Sequence, residues 1–183
     1  MKKFFHVKTL VATAIGTALF FVLGHFVSIP TGIPDTYISI QYGLLAFIAA
    51  VFGPVAGFLS GFIGHILSDL AWGSVWISWE LASGIFGLVV GLVANRINLN
   101  DGTFTWKEAL IFNIAQVIGH LICWVVVAPV LDIVIYAEPS NKVFIQGLTA
   151  AGANIVTTAV VGTLLCLAYA KARPQKGSLK EEE

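Results

Sequence analysis

Nine of the ten Lys and Arg residues lie at connections on one side of a series of long apolar segments. Lys2, Lys3 and Lys8 precede the first segment, Arg96 and Lys107 bracket a middle loop, and Lys171, Arg173, Lys176 and Lys180 follow the last; only Lys142 falls on the other side. If successive segments cross a bilayer in alternating directions, the positive-inside rule expects this distribution and puts both termini in the cytoplasm. At 57% hydrophobic and 11% charged residues, with a mean hydropathy of +0.89, the chain is excluded from the class of ordinary soluble domains. A helix needs about 20 apolar residues to cross the hydrocarbon core, so the chain holds about six spans without a separate soluble domain. No basic patch interleaved with aromatics points to nucleic acid.

The expectation is an all-α integral membrane protein with six transmembrane helices, forming one membrane domain over residues 1–170. Residues 171–183 are expected as a charged cytoplasmic tail. The first span runs from about Lys8 to Val27; its apolar run has span length, not the shorter length of a secretory leader. Ser28 to Asp35, with Pro30, Gly32 and Pro34, breaks helical geometry and forms an outside loop. A short second span covers about Gln41 to Phe52, Gly53-Pro54 makes a tight turn, and a third returns from Val55 to about Ala71. Trp72 to Trp79 is the next outside connection, where tryptophans suit the water interface. The fourth span runs from about Ile77 to Ile97, the fifth from about Trp106 to Pro129, and the sixth from about Val143 to Ala170. Asp132 to Asn141 is expected as the third outside segment. Cys123 and Cys166 have no CxxC spacing and fall at opposite depths, so they read as buried small hydrophobes.

Residues four apart lie along one ridge of a helix. In the third span that ridge reads Gly53, Gly57, Gly61, His65, Asp69: bare in the inner half, polar in the outer half. The fourth span carries Glu80 near its outer end, then Gly84, Gly87 and Gly91. The fifth carries Asn113, Gln116, His120 and Trp124, and the sixth Gln146, Ala150, Asn154, Thr158 and Gly162. Polar groups at such depth are costly unless paired or facing a wet cavity, so they are functional candidates by default. Each also has a structural reading. His65 with Asp69 makes a hydrogen-bonded pair, Glu80 an interface residue, Gln146 and Asn154 interhelical glue, and Trp72, Trp76 and Trp79 interface anchors. His65, Asp69 and His120 lack a signature metal-ligand spacing, and no metal is expected. Ile63-Gly64-His65 recurs as Ile118-Gly119-His120, too short a repeat to argue duplication. On the first span, Ala12 with Gly16 and Ala14 with Ala18 are small-xxx-small pairs that let another helix dock, whether within this chain or from a partner.

Six short spans, a Pro-containing first outer loop and an AxxxA surface on the first helix resemble the substrate-binding S components of energy-coupling-factor (ECF) vitamin transporters over essentially the whole chain. Ser28-Ile29-Pro30-Thr31-Gly32-Ile33-Pro34, Phe52-Gly53-Pro54-Val55-Ala56-Gly57-Phe58, Gly61-Phe62-Ile63-Gly64-His65 and Ala82-Ser83-Gly84-Ile85 are similar to the branch grouped with riboflavin-type S components, which includes proteins assigned to the thiamine precursor hydroxymethylpyrimidine. The resemblance implies a multi-pass subunit of a prokaryotic plasma membrane that captures a small vitamin from outside. A transmembrane coupling protein and two cytoplasmic ATPases supply the energy. The chain itself has no GxxxxGK[ST] phosphate loop, and no cofactor of its own is expected, since ATP is used by the partners. Ala14 and Ala18, with Ala12 and Gly16 beside them, would mark the partner-docking surface. The vitamin would lie between the first outer loop and the outer halves of later helices, among Tyr42, Trp79, Glu80, His120, Trp124, Gln146 and Asn154, with His65 and Asp69 on the facing ridge. A flat heteroaromatic ring asks for an aromatic face and a few aimed hydrogen-bond groups. A carboxylate such as Glu80 accepts paired hydrogen bonds from an aminopyrimidine edge, which favours hydroxymethylpyrimidine over riboflavin, while a pyridoxine-like ring satisfies the same groups nearly as well.

Two other classes fit less well. An intramembrane hydrolase needs a serine within reach of a histidine base, but Ser60 and His65 fall more than a turn apart on different faces. A stand-alone ion or metal permease using His65, Asp69, Glu80 and His120 lacks a continuous polar path through the inner halves.

Overall fold

The computed structural model describes residues 7–97 and 99–173. Lys2, Lys3, Lys176, Lys180 and most of the expected tail lie outside the described residues. Helix α1 spans Val7–Phe26 and is followed by a hairpin of β1 (Ser28–Pro30) and β2 (Tyr37–Ser39). Then come α2 (Gln41–Phe52), α3 (Pro54–Trp72) and α4 (Ile77–Ala94). A single 3-10 turn at Leu99–Asp101 leads to α5 (Trp106–Tyr136) and α6 (Ser140–Ala172). Five of these helices are long and apolar enough to cross a membrane; α2, with 12 residues, is the shorter one. At 1.5 Å per residue α2 is about 18 Å long, well short of the roughly 30 Å hydrocarbon core. Its far end still meets the basic end of the bundle: Lys8 Nζ sits 5.8 Å over the Phe52 ring, and Asn100 Nδ2 donates to Val51 O at 3.0 Å.

The hairpin stands at the opposite end of α2. Its strands pair antiparallel, Ser28 with Ser39 and Pro30 with Tyr37. Thr31 and Thr36 close its loop through their hydroxyls at 2.7 Å, and Thr36 Oγ1 donates to Ile33 O. In the amino-acid sequence this stretch carries only loop signals, because three-residue strands are too short to show a period of two.

The polar-to-bare ridges pack as their glycines suggest. A Cβ at Gly57 would lie 2.6 Å from Gly87 O, and one at Gly61 would lie 2.5 Å from Ser83 O. Side chains at these positions would force α3 and α4 apart, so the close contact of this helix pair is written into the glycine spacing. Large apolar side chains such as Leu10, Ile63, Leu92, Leu110, Val126 and Leu164 stay exposed, as expected where the surrounding solvent is lipid. The interior instead encloses small residues, aromatics and polar groups including Glu80, Gln116, His120 and Thr158. Cys123 and Cys166 are both buried and free.

Two expected boundaries shift. The fifth helix does not end at Pro129 but continues to Tyr136, and the sixth begins at Ser140. Leu121–Val127 adopts π-helical turns just before Pro129. The extra residue per turn relieves the clash between a proline ring and the carbonyl four residues back, so the helix passes through. A second π segment, Thr158–Gly162, lies in α6. Between the two helices a Cβ at Gly147 would stand 2.0 Å from Trp124 O, so only glycine admits the carbonyl that the π turn pushes outward.

Candidate functional site

A cavity of about 300 Å³ opens at the hairpin end, and every helix contributes to its wall. Gly24 of α1, Asp35, Tyr37 and Ser39 of the hairpin region, and Gln41 of α2 form one side. His65, Ser68, Asp69 and Trp72 come from α3, Ser74 and Trp76 from the link, and Trp79 from α4. Asp132 of α5, Glu138, and Lys142 and Gln146 of α6 complete it.

The outer half of α3 delivers its acid and base to this wall. His65 Nδ1 lies 2.6 Å from Ser83 Oγ, and its Nε2 is 3.6 Å from Asp69 Oδ1. Asp69 Oδ2 accepts from the Trp76 backbone N–H at 3.2 Å, so one carboxylate both faces the cavity and fixes the start of α4. Glu80, on the next helix, is fully buried. Its carboxyl group comes up against that of Asp69, and it is not among the residues that line the cavity. Glu80 therefore stands behind the wall, not on it.

Asp132 was expected in an outside segment; it is instead a buried residue of α5. Its carboxylate accepts from Ser78 Oγ and, at 2.6 Å, from Trp79 Nε1. Next to it, Tyr136 Oη accepts from Ile77 N at 3.1 Å, and the Tyr136 ring packs 4.6 Å from Trp76. Asp132 thus aims the Trp79 indole. A lone Asp in the run Val130-Leu131-Asp132-Ile133-Val134 was the available signal, since an ionisable group inside an apolar stretch needs a partner or a function; Pro129 masked it by suggesting that the helix had ended.

Trp72, Trp76 and Trp79, read individually as interface anchors, line a single cavity. Trp72 stacks on Tyr37, with ring centroids 6.0 Å apart at 18°. Lys142, the one cation outside the basic side, is at the mouth with its Nζ 2.8 Å from Glu138 Oε2. Gln146 Nε2 donates to Pro34 O at 3.0 Å, tying the hairpin loop to α6 across the opening.

The remaining expected site residues form a layer beneath. His120 Nδ1 accepts from Trp124 Nε1 at 2.9 Å, its Nε2 is 3.0 Å from Thr158 Oγ1, and its ring stacks 4.0 Å from Phe86. Trp124 packs 5.2 Å from both Trp79 and Tyr42, and Tyr42 Oη meets Ser83 Oγ at 2.8 Å. Asn154 is buried two turns along α6 from Gln146 and is not part of the wall. Of nine expected contacts, His65, Asp69, Trp79 and Gln146 line the cavity, while Tyr42, Glu80, His120, Trp124 and Asn154 lie outside its wall.

The small residues of α1 divide as well. Ala12 and Gly16 are buried, and a Cβ on Gly16 would lie 2.7 Å from Ile48 Cδ1 and Ser60 Oγ. They serve packing against α2 and α3 in place of an outward docking surface, whereas Ala14 and Ala18 are exposed.

Residues 4–171 match the family model described as ECF-type riboflavin transporter, S component. The chain belongs to that family. It is therefore a multi-pass membrane protein and the substrate-binding subunit of an ECF transporter, binding a small vitamin and working with an ECF module. Among relatives, a UPF0397 protein of Exiguobacterium sp. is 53% identical, covering 97% of this chain and 98% of that one. A UPF0397 protein of Clostridium perfringens is 52% identical over 96% of each chain, and one of Streptococcus gordonii is 51% identical over the full length of both. The fold of this S component is similar to that of FolT bound with folic acid, at TM-score 0.62 and 14% identity over 88% of this chain and 98% of that one. It is also similar to the S component for biotin from an ECF-type ABC transporter, at TM-score 0.61 and 18% identity over 87% and 89%.

Proposed function

We propose that this S component captures hydroxymethylpyrimidine from outside the cell and passes it inward through a transmembrane coupling protein driven by two cytoplasmic ATPases. The observation that carries the choice of ligand is the cavity itself: about 300 Å³, walled by three tryptophans and by carboxylates that accept hydrogen bonds. That volume is at the small end of the roughly 300–1,000 Å³ range of ligand sites, which suits a single ring better than a fused tricycle with a polyol chain. An aminopyrimidine offers N–H donors to Asp69, a π face to Trp79 and an acceptor edge within reach of Gln146 chemistry.

Riboflavin is the second reading, favoured by the description of the matching family. Titration calorimetry of the protein in lipid nanodiscs separates the candidates. Hydroxymethylpyrimidine is expected to bind more tightly than pyridoxine or riboflavin, and tighter binding of riboflavin would overturn the choice. For docking, the exposed pair Ala14 and Ala18 on α1 supports a surface for the coupling protein, with both termini cytoplasmic. Ala14→Trp is expected to abolish copurification of coupling protein and ATPases while leaving ligand affinity unchanged.

A further inference from the structure

We infer that the cavity selects its ligand by charge, accepting a planar heterocycle with cationic or donor-rich edges and rejecting anionic relatives, including the phosphate ester of the same vitamin. This inference rests on the cavity being the substrate site. Four carboxylate residues line it, namely Asp35, Asp69, Asp132 and Glu138. Lys142 is the one Lys or Arg among the lining residues, and its Nζ is already held at 2.8 Å by Glu138 Oε2. His65 is turned toward Asp69 and Ser83.

Hydrogen bonding points the same way as the count of charges. The tryptophan Nε1–H of Trp79 and the backbone N–H of Trp76, donors that an anion would need, are both taken by Asp132 and Asp69. One of the two N–H groups of the Gln146 side-chain amide is used on Pro34 O. On the acceptor side there is surplus. Gln41 Oε1, in the cavity wall, has no hydrogen-bond donor. A ligand that brings N–H groups or positive charge satisfies such a site. One that brings a phosphate or carboxylate is desolvated against like charge. Phosphate sites are built the other way, from arginine forks, lysines and free backbone N–H groups.

The test is titration calorimetry of the full chain in nanodiscs near neutral pH with matched pairs. Hydroxymethylpyrimidine is set against its phosphate monoester and pyridoxine against pyridoxine 5′-phosphate, with biotin as a carboxylate-bearing control. The free alcohol of at least one pair is expected to bind, with its ester weaker by about 100-fold or more, and biotin should give no measurable heat. Asp69→Asn and Asp132→Asn keep the shape and an acceptor oxygen while removing charge, and each should shrink the alcohol-to-ester ratio by about tenfold. Using the ratio means that a variant weakened by poor folding does not imitate the effect. Binding of an ester within about threefold of its alcohol overturns charge selection and leaves the proposed vitamin standing. Failure of every alcohol to bind, with heat from biotin or an ester instead, overturns both. An unchanged ratio in both Asn variants overturns the assignment of the carboxylates as the cause.

Discussion

The tripeptide Ile-Gly-His occurs twice, ending at His65 and at His120, and the two regions have opposite fates. His65 faces the cavity with an acid four residues on, Asp69 at 3.6 Å. His120 is sealed in the core with an indole four residues on, Trp124 at 2.9 Å, and closes its other nitrogen on Thr158. Both histidines are one helical turn from their partner, so periodicity treats them alike. What separates them is the neighbour across the helix interface. α4 brings Ser83 and leaves an opening beside His65, whereas Phe86 and Thr158 fill the space around His120. A buried polar residue is scaffold when packing closes around it on every side and a contact when an opening is left beside it.

Substitutions at the two histidines are the sharpest way to break this contrast. His120→Ala removes a stacked ring and strands the Trp124 N–H and the Thr158 hydroxyl. It is expected to destabilise the protein by about 2–4 kcal/mol, read as a lower melting temperature in nanodiscs, and an unchanged melt would mean that the layer is not structural. Trp124→Phe keeps the aromatic packing against Tyr42 and Trp79 but loses the donor to His120. The expected cost is about 1–2 kcal/mol, measured in the same melt. His65→Ala should reverse the pattern, with ligand affinity falling about tenfold, equivalent to about 1.4 kcal/mol, while the melt shifts by no more than a degree or two. Equal losses of stability in His65→Ala and His120→Ala would erase the distinction.

Gln146→Ala gives the smallest effect. It cuts the tie to Pro34 O, and the ligand off-rate measured by stopped-flow tryptophan fluorescence should rise about three- to fivefold, with little change in stability. An unchanged off-rate would show that the hairpin does not depend on this latch to stay across the opening.

Much of the architecture was legible because the bilayer imposes a coarse rule. Span lengths, the glycine ridges of α3 and α4, and the placement of polar groups toward one end all follow from the cost of exposing backbone and charge to hydrocarbon. The short α2 was legible as short, but not the hairpin that precedes it. Pro129 misled because a proline rule written for regular helices does not anticipate a π turn just before it. With the end of α5 misplaced, Asp132 went to a loop and its role in aiming Trp79 was invisible. Lys142 carried a usable signal as the one cation against the charge asymmetry; its pairing with Glu138 at the mouth gives that exception a place.

The amino-acid order alone established a helical membrane protein, the spacing of its close helix contacts and the family whose strings it carries, because hydropathy, small-residue spacing and turn chemistry act locally along the chain. Which of the buried polar residues meet a ligand was decided only in three dimensions. Rotation of each helix about its axis sorted Ala14 from Ala12, and the neighbour opposite sorted His65 from His120. Both depend on contacts between residues far apart in the chain, which no local pattern records.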